Sequence, residues 1–194
     1  MTGIVRKLRG VIWLTGFLVL LPGTAGAVPG GFFAGIGLQG SFLGGDAGEG
    51  PEEVGVEPFS INDSGGALAL RGGYLLTPGL LVRLAFSGAN HDAKNPDAEV
   101  GFTSLCVEAA YVLRPGRSFR PFVFAGVGGF GIRHWKGPIR YDVEGGGLVV
   151  GGGLAFFVTE GIALDVEARG DFIDWDRARA TEVPIFGPRT DRGE

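Results

Sequence analysis

The chain has 194 residues, of which 38 are glycine, 15 are phenylalanine and one is cysteine, and its formal net charge is -4. A hydrophobic share of 45% excludes intrinsic disorder, and the acidic balance argues against a nucleic-acid-binding protein, which needs a basic face. The single cysteine excludes an internal disulfide. Glycine lies far above its average usage of roughly 7% but follows no Gly-X-Y period, which excludes collagen.

The N-terminus has the organisation of a secretory signal peptide. Three basic residues precede an apolar run over residues 11–21, and Ala25 and Ala27 fit the small-residue cleavage rule. The run is shorter than the ~20 residues that a membrane-spanning helix needs. We therefore expect export and cleavage after Ala27, so that residues 1–27 are a cleavable leader.

Beyond the leader, the dominant pattern has a period of two residues. In the segment 162–172 the even positions are all apolar or glycine, and four of the five odd positions are charged. A helix cannot sort residues in this way, because its faces recur every three or four residues. The alternation predicts seven strands, over residues 32–42, 67–76, 80–87, 103–111, 122–133, 148–158 and 162–172.

The connections between these segments alternate in length. Thr77-Pro78-Gly79 and Thr159-Glu160-Gly161 have the composition of tight turns. Residues 114–120 are a somewhat longer member of the same set. The connections between them, over residues 44–64, 90–98 and 136–145, are longer and polar. Alternating short and long connections predict an up-and-down antiparallel meander whose two ends face different surroundings.

The composition of the two strand faces indicates which face is outside. One face carries bulky Leu, Ile, Val and Phe, whereas the other is mainly Gly, Ala and Ser with scattered charges. A soluble lipocalin-like barrel would show water a face rich in Lys, Thr and Gln, which this chain lacks. Small residues with a few charges suit the narrow lumen of a membrane barrel, and the bulky face suits a wall in contact with lipid. A soluble sandwich or barrel is the alternative.

Aromatic residues sort by strand end, as in the two interfacial girdles of membrane barrels. One predicted girdle lies beside the N-terminus and the short turns, and the other lies beside the long loops. The first comprises Phe32, Tyr74, Tyr111, Phe122 and Phe156, and the second comprises Phe42, Phe86, Phe102, Phe130 and Phe172.

Over residues 30–175 the sequence resembles the small outer-membrane β-barrels of Gram-negative bacteria, of the outer membrane protein A and X type, and the wider porin-like group. The resemblance implies an all-β, transmembrane, up-and-down antiparallel β-barrel of about eight strands, with the short turns in the periplasm. It also implies outer-membrane lipid and the barrel assembly machinery as partners. We expect a monomer in the cell outer membrane, without cofactor, metal or nucleic acid.

The C-terminus departs from the pattern of this family, whose barrels usually close with a strand that ends in Phe or Trp. Seven strands are clear within residues 28–176, and an eighth could lie at 178–186, but Pro184 interrupts its alternation. Residues 177–194 are therefore either a weak closing strand or an irregular tail, or the gene model is truncated or frame-shifted near its end.

Eight charged residues are predicted to face the lumen, and their charges balance. They are Arg71, Arg83, Glu108, Arg133, Asp165, Glu167, Arg169 and Asp171. An eight-stranded barrel is just wide enough for its own side chains to fill, and buried charges must be paired. We therefore expect a plugged lumen and a structural or surface-display role; the alternative is a narrow porin-like pore for small solutes.

A lipid-modifying barrel enzyme is the third possibility. Barrel enzymes that deacylate lipid A use His, Ser and an acid, but neither His91 nor His134 is part of a His-x-Ser element. Ser87 is predicted to face the lumen, as is an inert Cys106. We therefore expect polar interfacial residues at these positions and no enzymatic activity. The acidic loop 44–64 lacks the spacing of a calcium loop and is interpreted as a solvated loop.

Overall fold

The computed structural model describes residues 9–20, 31–43, 61–93, 98–113, 115, 118–136, 139–159 and 162–182. These ranges contain eight strands: β1 (Arg9–Leu20), β2 (Phe32–Leu43), β3 (Ile61–Thr77), β4 (Leu80–Ala93), β5 (Ala98–Val112), β6 (Phe119–Lys136), β7 (Ile139–Phe157) and β8 (Ile162–Glu182). Within these ranges no helix has the length and apolar character needed to cross a membrane.

The strands form one closed barrel in which each strand pairs antiparallel with the next and β1 pairs with β8. This arrangement confirms the predicted up-and-down antiparallel topology, and β2–β8 correspond in order to the seven predicted strands. Closure satisfies the backbone hydrogen bonds of every strand, which is the condition for a sheet in lipid.

The strand that closes the barrel differs from the one considered in the sequence analysis. In the structure the closing strand is β1, which lies within the predicted leader. A chain cleaved after Ala27 would lack this strand, so one molecule cannot both lose the leader and keep β1. Residues 178–182 do not form a strand of their own. They continue β8, because β7 begins at Ile139 and its first residues pair with the last residues of β8. Residues 183–194, including Pro184, lie outside the described residues.

Strands β4–β8 are 14 to 21 residues long, whereas about 9–11 residues suffice to cross a bilayer. The excess lies at the end of the long loops, and most of the predicted loop 136–145 is strand. A β-bulge between Glu144 and Gly145 interrupts the pairing of β7 with β8 in this part.

The outer wall carries an apolar belt, as predicted for a wall that contacts lipid. Its residues stand at alternate positions and are between 45% and 74% exposed. We define the apolar belt as Ile36, Leu38, Leu68, Leu70, Leu84, Phe86, Leu105, Val107, Val127, Leu148, Val150, Leu154, Leu164 and Val166.

Candidate functional site

Seven buried charged residues from four strands meet inside the barrel. Each is at most 7% exposed. Their inward direction follows from the alternation of each strand, since their neighbours on either side lie on the outer wall. We call them the charge layer: Arg71 on β3, Arg83 on β4, Glu108 on β5, and Asp165, Glu167, Arg169 and Asp171 on β8.

Two carboxylates link the arginines of the charge layer into one network. Glu108 accepts a hydrogen bond from Arg83 Nε at 2.6 Å through Oε2 and one from Arg169 Nη1 at 3.2 Å through Oε1. Glu167 Oε2 accepts from Arg71 Nη1 at 2.9 Å and from Arg83 Nη2 at 3.1 Å. The ion pairs therefore cross the lumen from β8 to β3, β4 and β5.

The two outer members of the network extend it along β8. Arg71 Nη2 forms a second ion pair with Asp165, and Arg169 Nε donates to Asp171 Oδ1 at 2.7 Å. Arg169 Nη2 lies 3.0 Å from the thiol of Cys106, which is 1% exposed. Three guanidinium groups thus face four carboxylates, and pairing of this kind is what makes buried charges tolerable.

Buried aromatic rings also lie within the lumen. Phe102, Phe122, Phe124 and Phe130 are at most 7% exposed. The guanidinium carbon of Arg83 lies 4.3 Å from the ring centroid of Phe124 and 5.8 Å from that of Phe122, which is cation–π geometry. We call Phe122 and Phe124 the aromatic layer, whereas Phe102 and Phe130 form a second pair of rings nearer the long loops, 6.2 Å apart between centroids.

Glycines on β7 give the aromatic layer its space. A Cβ atom at Gly151 would collide with the ring of Phe124, and one at Gly153 would collide with the ring of Phe122. Inward glycines opposite bulky rings are the signal by which these rings could have been assigned to the lumen from the sequence.

Three residues that were predicted for the girdles therefore lie in the lumen instead: Phe102, Phe122 and Phe130. Both faces of β6 are apolar, so the size of the side chains alone did not indicate which face is outside. On β5, Phe102 and Glu108 are both at even positions, which places Phe102 on the lumenal face with Glu108. The side chain of Phe42 lies outside the described residues. The other predicted girdle residues are 36% to 69% exposed: Phe32, Tyr74, Phe86, Tyr111, Phe156 and Phe172.

Arg133 is the one predicted lumenal charge that the structure places elsewhere. Its side chain is 58% exposed on the outer wall, because it shares the parity of Val123 and Val127 on β6. Its Nε donates to Asp142 Oδ1 at 2.9 Å, and Arg140 Nε donates to Asp142 Oδ2 at 2.7 Å. Partial burial raises the pKa of the Asp142 carboxyl, but these two arginines outweigh that effect and hold the pKa below its ordinary value.

The residues that were considered as catalytic candidates are buried in the lumen wall. His91 is 2% exposed, His134 is 4% exposed, and the ring of His134 stacks on Tyr141 at 6.0 Å between centroids. Ser87 Oγ is 2.7 Å from Ser104 Oγ, so these two hydroxyls bond to each other across β4 and β5. This differs from the interfacial placement expected for the two histidines.

Comparison with known proteins gives one family match. Residues 15–182 match the outer membrane protein beta-barrel domain. No curated protein matches the sequence at a significant level.

Comparison with solved structures also gives matches, all of low sequence identity. The chain is similar to the outer membrane protein OprG from Pseudomonas aeruginosa, at 13% identity and a TM-score of 0.44, over 91% of this chain and 98% of that one. It is also similar to the N-terminal beta-barrel domain of OprF from Pseudomonas aeruginosa, at 15% identity and a TM-score of 0.39, over 86% and 99%. A third is Ail, the attachment invasion locus protein of Yersinia pestis, at 10% identity and a TM-score of 0.41, over 87% and 99%.

Proposed function

Since the chain belongs to the outer membrane protein beta-barrel family and lies in the cell outer membrane, we propose that it is a structural barrel that displays its long loops and does not conduct. In this role the lumen is sealed by the protein's own side chains. The barrel then serves as a membrane-anchored support for the loops at one end.

The observation that carries this proposal is the burial of the charge layer. Its seven side chains are at most 7% exposed although they lie in the lumen, where a water-filled pore would leave charged groups accessible. The ion pairs join strands on different sides of the barrel, and the aromatic layer packs on Arg83. Two successive layers of side chains therefore stand in the path of any solute.

The strand lengths support the display part of the proposal. β6 and β7 continue beyond the apolar belt as a paired hairpin up to Lys136 and Ile139. Only residues 137–138 connect the two strands, so the paired strands themselves carry this short connection away from the membrane surface, where a partner outside the cell could reach it.

Conductance across a planar bilayer tests the closed lumen. We expect refolded wild-type protein to give currents no larger than those of a protein-free bilayer. The double variant Arg83→Ser with Glu108→Ser removes one cation and one anion from the charge layer and should introduce measurable currents. The matched control is Arg133→Ser with Asp142→Ser, which removes a pair from the outer wall and should not conduct. Steady currents through the wild type would refute the proposal and favour a narrow pore.

A further inference from the structure

The outer wall has a polar cavity of about 380 Å³ at the loop end of strands β4 to β7. Two cross-strand rows of outward-facing residues form its floor. The first row is Gly88, Thr103, Gly131 and Glu144, and the second is Asn90, Gly101, Arg133 and Asp142. We call it the outer-wall cavity.

The cavity is hollow because small residues replace the bulky side chains of the belt. A Cβ atom at Gly88 would have no heavy atom within 4 Å, so this position opens onto free space. Trp135, which is 36% exposed, also lines the cavity.

The cavity stands directly beyond the apolar belt. Phe86 and Leu105 form the next outward-facing cross-strand pair below Gly88 and Thr103, and they are 47% and 58% exposed. The row below them continues through Val107 and Val127 to Leu148. A molecule in the cavity therefore has its polar part among hydrogen-bonding side chains and any attached chains against a wall that faces lipid.

The polar lining offers both donors and acceptors and carries little net charge. The guanidinium group of Arg133 is already paired with Asp142, which also accepts a hydrogen bond from Arg140 outside the lining, and Glu144 adds a further carboxylate. A free phosphate needs unneutralised cations, so these carboxylates disfavour it. Asn90 supplies an amide that donates and accepts, which matches the hydroxyl groups of a sugar.

From the position and lining of the outer-wall cavity we infer that it is a binding site for the saccharide headgroup of a membrane glycolipid. The acyl chains of this lipid lie along the belt below Gly88, and its sugar hydroxyls bond to Asn90, Glu144 and the Arg133–Asp142 pair. Trp135 borders the sugar at the level where amphipathic indole rings are favoured. This site is separate from the lumen and goes beyond the proposed structural role.

Native mass spectrometry of the barrel released from nanodiscs tests this inference. The nanodiscs contain equal amounts of digalactosyl diacylglycerol and phosphatidylglycerol with the same acyl chains, in excess phosphatidylcholine. We expect wild-type protein to retain the glycolipid over phosphatidylglycerol by about tenfold, which corresponds to about 1.4 kcal/mol. Gly88→Phe fills the cavity and should abolish the preference.

Two further variants keep the test decisive. Gly170→Phe places the same ring on the outer wall at β8, where a Cβ atom makes only an ordinary contact with Phe172, and it should retain the preference. Asn90→Leu removes the amide at nearly constant volume and should weaken the preference, which decides the matter if Gly88→Phe fails to fold. Equal retention of both lipids, a preference for phosphatidylglycerol, or an unchanged preference in the cavity variants would overturn the inference.

Discussion

Arg83 is the residue on which the charge layer depends most. It donates to Glu108 and Glu167, on two different strands, and its guanidinium lies over the ring of Phe124. It therefore joins both layers of the lumen. Its loss would leave two guanidinium groups to face four buried carboxylates.

We expect Arg83→Met to lower the free energy of unfolding by about 3–5 kcal/mol, the usual cost of removing one partner from a buried ion pair. Urea unfolding of the protein refolded in lipid vesicles measures this change. Arg133→Met is the matched control, because its side chain is 58% exposed and its ion pair should contribute about 1 kcal/mol or less. Equal losses for the two variants would contradict the assignment of Arg83 to a buried network.

The sequence could assign a single residue to the lumen or to the outer wall only where the two faces of its strand differ in hydrophobicity. On β8 every charged residue of the segment 162–172 shares one parity, and the structure brings all four into the charge layer. On β6, Phe122 and Val123 are both apolar, so the face was decided by the pairing with β5 and β7 and not by hydrophobicity. Arg133 was misplaced together with that strand.

At the scale of the strands, period two predicted the seven strands β2–β8 but not their ends. The glycines at 145–147 carry no side chain to alternate, and the charged residues at 140–144 gave this segment the composition of a polar loop, although apolar and charged residues do alternate over 139–144. Their pairing with β6 and β8 makes them part of β7, which depends on contacts between segments far apart in the sequence. The length of the loop predicted over residues 136–145 was overestimated because this pairing is not visible in the local sequence.

The predicted leader and β1 lead to different mature proteins, and the intact mass of protein purified from outer membranes distinguishes them. Cleavage after Ala27 predicts a chain that begins at Val28. Such a chain lacks β1, so β2 and β8 would need new partners, because an unpaired strand edge in lipid costs several kcal/mol for each free backbone group. A purified chain that still contains residues 9–20 would contradict the leader and match the closure seen in the structure.

At the scale of the whole molecule, the barrel has an apolar exterior and a lumen filled by charged and aromatic side chains. Its high glycine content contributes to this, because Gly151 and Gly153 leave room for the rings of the aromatic layer. The sequence predicted that charges would fill the lumen, but the aromatic layer emerged only from the pairing of β6 with β7.

Chemical labelling of Cys106 in the folded wild type tests the closed lumen most directly. This thiol is the only one in the chain and lies in the lumen, 1% exposed and 3.0 Å from Arg169 Nη2. We predict that a charged, membrane-impermeant methanethiosulfonate reagent leaves Cys106 unmodified in the refolded barrel and modifies it fully after denaturation. Rapid modification of the folded protein, followed by mass spectrometry, would show that water and small solutes enter the lumen and would contradict the closed barrel.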